Sequence, residues 1–237
     1  MTVEIPADER IPPPDHHRDV TGGWLRPAVF GVTDGLVSNS SLIMGVAASG
    51  ASTHAVILAG LSGLAAGAFS MATGEYISVA SQQELTIAEI ELEKLELRRV
   101  PKAEEAELAQ LYVQRGVDPA LAKEVSRQLS ANPEEAWRVH VREELGVDPD
   151  DLPSPWTAAG SSFGSFTLGA LLPLLPYLLG ASTLAATLVL TIIGLFAAGA
   201  GVSRFTSRTW WYSGLRQLLL GGAAAAVTYA IGSAVGT

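Results

Sequence analysis

The sequence predicts an all-α polytopic membrane protein: five transmembrane helices, with a cytoplasmic helical insert between the second and the third. Three observations lead there. Residues 27–82 and 155–237 are almost free of charge, whereas 83–154 carries 17 Asp and Glu against nine Lys and Arg. The uncharged regions break into stretches that approach or exceed the ~20 residues a helix needs to cross the hydrocarbon core. Two carboxylates, Asp34 and Glu75, sit inside those stretches. A charge there costs at least ~2.5–3.5 kcal/mol and marks an ion or proton path.

Residues 1–23 are polar and rich in proline and charge, which predicts a solvated cytoplasmic tail without the apolar core of a signal peptide. His16 and His17 within it are at most a weak metal pair. The first two spans lie within 24–82, as Pro27 to Gly50 and His54 to Ala80, joined into a hairpin by Ser-Gly-Ala-Ser-Thr. The insert, 83–154, reads as helical throughout. Glu84 to Arg99 continues the second span, Pro101-Lys102 restarts the chain, and 103–115 is a helix ended by Gly116. Asp118-Pro119 and Asn132-Pro133 each open a further helix, a capping residue followed by proline in the first turn. The last of these closes at Gly146, and 147–154, with three acids and two prolines, leads back to the membrane.

The final region, 155–237, supplies spans at roughly 157–179, 182–203 and 210–235, separated by Gly180-Ala181-Ser182 and by the Arg204–Arg208 segment. Trp210, Trp211 and Tyr212 form an interfacial belt, and Trp156 serves the third span in the same way. Pro173 and Pro176 predict a kink and freed carbonyls. Gly60, Gly63, Gly67 and Gly74 in the second span, and Gly194, Gly199 and Gly201 in the fourth, predict close helix packing where lipid gives no hydrophobic drive. All 15 Lys and Arg lie in the tail and the start of the first span, the insert, or 204–216. Positive charge collects on the cytoplasmic side, so the tail and insert face the cytoplasm and the C-terminus lies outside.

The chain has no cysteine, which excludes disulfides and thiolate metal sites. Walker, nucleophile-elbow and paired zinc signatures are absent too, so neither hydrolysis nor ATP-driven pumping is expected and the protein does not read as an enzyme. No nucleic-acid partner is expected. In the insert, Glu93 and Glu96 share a helix face, as do Glu104 and Glu107. The Pro turn between their helices allows the pairs to converge as a hard oxygen site for a divalent cation, closed by Glu144 and His140. The plain alternative is a solvated acidic face, with Glu91, Glu105 and Glu135 in the same role. No Glu-x-x-His pair occurs there, which disfavours a ferritin-like di-iron site.

In the membrane, Asp34 lies about seven residues into its span, roughly 10 Å deep. Met71 sits one turn before Glu75 and adds a soft sulfur to the same face. Antiparallel helices bring Asp34, Met71 and Glu75 to a similar level, with Ser38 and Asn39 adding oxygen. Core packing for Met71, and a structural hydrogen-bonded pair for Asp34 and Glu75, are the competing explanations.

These residues carry a resemblance. Asp34-Gly35-Leu36-Val37-Ser38-Asn39 and Ser70-Met71-Ala72-Thr73-Gly74-Glu75-Tyr76-Ile77-Ser78-Val79 resemble signatures of the vacuolar iron transporter family, the group of plant vacuolar and yeast iron carriers. The stretch Gly221 to Tyr229 is similar to that family's last span. The resemblance covers about 24–237 and includes the position of the insert. It implies a homodimer of five-span subunits that exchanges Fe²⁺ for protons and moves iron out of the cytoplasm. Asp34 and Met71 then belong to the translocation path, and Glu93, Glu96, Glu104, Glu107 and Glu144 to a metal-binding insert.

The chain departs from the family where a pair of methionines is expected before the last glutamate: it has His140 and Val141. That leaves selectivity among Fe²⁺, Zn²⁺, Mn²⁺ and Co²⁺ open; no organic cofactor is expected. The expected location is a bacterial plasma membrane, or a vacuolar one in a eukaryote. The rival function is a membrane-anchored iron-binding buffer or sensor without transport, which needs the insert but neither Asp34 nor Glu75.

Overall fold

The computed structural model describes residues 23–181, 183–204 and 208–235, and all the regular structure among them is helical. His16 and His17 lie outside the described residues, as do Ser182 of one expected turn and 205–207 of the Arg204–Arg208 segment. α1 (Leu25–Ala48) runs to a turn at Gly50, whose φ of 79° is the left-handed conformation that glycine adopts without penalty. α2 (Thr53–Arg99) starts at Ser52, whose hydroxyl accepts the Ala55 N–H at 3.3 Å, and continues for 47 residues. From Glu75 to Arg99 the sequence holds neither Gly nor Pro, so nothing breaks the helix between the apolar hairpin and the acidic insert. It stops at Val100, which precedes Pro101 and is pushed out of helical geometry.

Short helices complete the insert. α3 (Pro101–Gln114) ends before Gly116. α4 (Pro119–Leu129) is capped by Asp118, which accepts the N–H groups of Ala120 and Leu121 at 2.9 and 3.1 Å. α5 (Pro133–His140) is capped by Asn132, and its last turn widens into a π-helical segment, Val141–Leu145, that ends at Gly146. α6 (Pro155–Leu178), α7 (Leu184–Val202) and α8 (Trp210–Val235) follow.

Among the described residues five helices, α1, α2, α6, α7 and α8, are long and apolar enough to cross a membrane. α1 lies at the centre, packed most extensively on α6 and also on α8, α2 and α7. Glycine makes this possible. A Cβ on Gly35 of α1 would strike the Phe166 carbonyl of α6, and one on Gly169 of α6 would strike the Val32 carbonyl of α1. Gly60, Gly63, Gly67, Gly194 and Gly199 likewise have neighbours within van der Waals reach, so close packing accounts for them. Gly74 and Gly201 have none within 4 Å, and close packing within the chain does not account for those two.

α6 passes through Pro173 and Pro176 as one uninterrupted helix. Thr187 of α7 donates its hydroxyl to the Pro173 carbonyl at 3.1 Å, a buried tie between the two helices. Large apolar side chains such as Leu58, Phe69, Ile77, Leu168, Ile193 and Leu220 point outward. That exterior suits lipid rather than water.

Candidate functional site

Between α1, α2 and α6 lies a cavity of about 230 Å³, walled by Asp34, Ser38, Asn39, Ser70, Met71 and Phe166. Helical periodicity assembles it: Asp34 and Ser38 are one turn apart on α1, as are Gly63, Gly67 and Met71 on α2. The glycines hold the space open. A Cβ on Gly63 would come within 2.9 Å of Asn39 Oδ1, and one on Gly67 would run into the Phe166 ring.

Asn39 is 1% exposed; its amide donates to the Ala170 carbonyl at 2.6 Å, while its Oδ1 has no hydrogen-bond partner among the described residues. A buried amide oxygen left unpaired is costly, and in a cavity beside a carboxylate it is well suited to a cation. Ser38 donates its hydroxyl to the Asp34 backbone carbonyl at 2.6 Å and keeps its oxygen lone pairs. Met71 packs against the Ala68–Phe166–Ala170 cluster and also lines the cavity, so its core-packing role and its exposure to the cavity coexist.

Glu75 is buried but is not part of that wall. Its Oε2 accepts from Arg26 Nη2 at 2.8 Å, the glutamate side chain 9% exposed and the arginine 74%. The carboxylate's partner is therefore Arg26 rather than Asp34. Sequence reasoning had counted Arg26 only as a positive charge on the cytoplasmic side. The available signal was its place inside the first apolar helix, eight residues before Asp34, because ionisable groups in such helices pair with one another.

The second cluster lies in the insert. Glu93 of α2, Glu104 of α3, and His140 and Glu144 at the end of α5 present ligand atoms that all lie within 4.8 Å of one another. His140 has no exposed surface, and its Nδ1 is 3.0 Å from Glu144 Oε1 and 3.1 Å from Glu93 Oε1. Its Nε2 has no hydrogen-bond partner among the described residues. Tyr112 of α3 and Arg115 just after it both bind the Glu143 side chain, which braces the π-helical turn that carries Glu144. Such turns recur at functional positions. Glu96 and Glu107 are exposed and stand outside the group. Residues three apart differ by about 60° around a helix, so only one glutamate of each pair faces His140. The outer two still act through their charge on Glu104.

Burial raises the pKa of Glu104, and the charges of Glu93 and Glu107 raise it further. Glu144 is also raised, by burial first and then by Glu93. Burial depresses His140, but hydrogen bonding and charge from Glu93 and Glu144 outweigh it, and the net shift is upward. Glu104, Glu144 and His140 thus hold protons more firmly than isolated groups do.

Long apolar helices around a polar cavity, with a cluster of potential metal ligands on the adjoining helices, are the frame of a polytopic membrane protein with two groups of side chains that could hold a cation. Residues 25–233 match the profile of the VIT family, and the chain belongs to that family. A vacuolar iron transporter from Acanthamoeba castellanii is 42% identical over 193 residues, covering 77% of this chain and 70% of that protein. Vacuolar iron transporter 1 of Arabidopsis thaliana is 31% identical over 230 residues, covering 93% of this chain and 91% of its own length. The vacuolar iron transporter 1 of Oryza sativa is 30% identical over 98% of this chain.

Proposed function

We propose that the protein is a proton-coupled antiporter that moves Fe²⁺ and similar divalent ions out of the cytoplasm. In this reading it has five spans, a cytoplasmic tail and insert, an outward C-terminus, and a homodimeric assembly. The observation that carries it is the cavity in which Asp34, Asn39 and Met71 meet. A carboxylate, an amide oxygen and a thioether form a mixed set suited to a borderline ion such as Fe²⁺. The names of the relatives point to the same cargo.

The cluster of Glu93, Glu104, His140 and Glu144 collects ions on the cytoplasmic side, with Glu96 and Glu107 attracting them by charge. The ion then sheds water as Asp34, Asn39 and Met71 take it, with Ser38 as an auxiliary oxygen and Glu75 as a charge carrier on the way. Carboxylate and imidazole ligands must be deprotonated to bind, so protons and metal compete for the same groups, and that competition couples their fluxes. Asp34→Ala is expected to abolish Fe²⁺ uptake driven by a pH gradient in proteoliposomes with an internal pH reporter; intact uptake in that variant refutes the site. The same assay with Mn²⁺, Co²⁺ and Zn²⁺ ranks the cargo. A buffer or sensor would bind iron in this assay without flux and without counter-movement of protons.

A further inference from the structure

We propose that Arg26 is a tethered competitor for the transported cation: its guanidinium occupies Glu75 between transport events and must leave before a divalent ion can use that carboxylate. The inference rests on the transport reading above and adds a residue that reading does not use. Glu75 is buried and its side chain is 9% exposed, so its charge needs a counter-charge at all times. Arg26 supplies one at 2.8 Å.

The two partners differ sharply in exposure. The Arg26 side chain is 74% exposed and comes from the first turn of α1, so it can swing into water without dismantling the packing around Glu75. Separating them returns a guanidinium to solvent and leaves a buried carboxylate that only another cation satisfies. Glu75 also stands in the right place. Along α2 it lies between Met71 of the cavity and Glu93 of the insert cluster, one turn from the former. A cation travelling from cluster to cavity passes this carboxylate. Arg26 thus lowers the apparent affinity at Glu75, so that the ion does not stall there, and keeps the position charge-neutral when no ion is present. It acts on transport through Glu75 and is a positioning residue.

The test is Co²⁺ flux through the full-length protein in proteoliposomes, with KM and kcat separated. Arg26→Gln is expected to lower KM by about 2- to 5-fold, the size of effect of an ion pair with one exposed partner. Arg26→Lys, which keeps the competing charge, stays within about 2-fold of the unaltered protein on the same scale. In a Glu75→Gln background, Arg26→Gln is expected to leave KM unchanged. An unaltered or raised KM in Arg26→Gln, or an effect that persists without the Glu75 charge, overturns the proposal and marks a merely structural bond. No flux of either Co²⁺ or Fe²⁺ from the unaltered protein overturns the transport reading and this inference together.

A second measurement needs no substitution of Arg26. Phenylglyoxal labelling of Arg26, read by mass spectrometry, is expected to speed up several-fold when Co²⁺ is added, and to be fast without metal in Glu75→Gln. Labelling that is indifferent to Co²⁺ overturns the proposal even if Arg26→Gln fails to fold.

Discussion

Acidification is expected to strip a divalent ion from the insert cluster in two stages, each with a slope set by the residues concerned. His140 is raised above 6.5, its ordinary value, by Glu93 and Glu144 against the opposing effect of burial. Metal binding below the resulting pKa must therefore expel one proton. Each expelled proton weakens binding about tenfold per pH unit. Glu104 and Glu144 are raised above 4.5, chiefly by burial. Once both protonate as well, three protons are expelled in all and the slope steepens to about a thousandfold per unit.

Calorimetric titration of Co²⁺ at several pH values, in buffers of different ionisation enthalpy, counts the protons directly. The Asp34→Ala background confines the reading to the insert. His140→Gln is expected to remove the first stage and leave the second. Affinity that does not change between about pH 7.5 and 5.5, or a first stage that survives His140→Gln, refutes the assignment of these groups as competing sites for metal and protons.

The same shifts fix the sign for the metal-free protein. All three groups have folded values above their unfolded ones, so each contributes stability that is complete below its unfolded value and is lost as pH rises through the folded one. For Glu104 and Glu144 the loss begins above 4.5, and for His140 above 6.5. Without metal, amide exchange in α3 and α5 is expected to be better protected in acid than at neutral pH once intrinsic exchange rates are corrected for. Added Co²⁺ restores protection at neutral pH and has no effect in acid.

Two further predictions concern the helical frame. Gly35→Val places a side chain against the Phe166 carbonyl at a close contact between α1 and α6. It is expected to cost about 1–3 kcal/mol, the usual penalty of overpacking, seen as a lower melting temperature in detergent. Thr187→Val removes the buried hydrogen bond to Pro173 at nearly constant volume. A loss of about 0.6 kcal/mol, and at most about 1.7, is expected, the average and the upper limit for interhelical bonds in a membrane protein, and an unchanged melting temperature would show that the bond contributes nothing.

The helices and their caps were legible in the sequence because each rests on a local cause. The Glu-, Leu- and Ile-rich stretch from Glu84 to Arg99 announced a continuation of the second span, and Asp118-Pro119 and Asn132-Pro133 announced their helix starts. Side-chain partnerships depend on how helices rotate against one another, which local pattern does not encode. Spacing alone put Glu93 with Glu96 and Glu104 with Glu107. The three-dimensional arrangement turns one member of each pair towards His140 and leaves the other in solvent. Arg26 reaches Glu75 across 49 residues of sequence, a contact that no periodicity reveals. The π-helical turn after His140 was invisible for a related reason: neither Gly nor Pro lies within Val141–Leu145 to signal a widened turn.

One mechanical consequence follows from where the two clusters sit. Met71, Glu75 and Glu93 all belong to the single helix α2. From Glu75 to Glu93 is 18 residues of unbroken helix, about 27 Å at the standard rise. An ion cannot be passed over that distance from one ligand set to the other by side-chain motion, because a glutamate or arginine side chain reaches only a fraction of it. The rod therefore fixes the separation between the insert cluster and the cavity, and under the proposed function ions would pass between the two only through solvent or through intermediate oxygens. Glu75, one turn from Met71 and held by an exposed arginine, is the buried carboxylate nearest the cavity along that rod. Tight binding in the insert would then trap the ion rather than speed its delivery, so the cluster serves transport only if its affinity is moderate. The protons held by His140, Glu104 and Glu144 weaken metal binding in that direction.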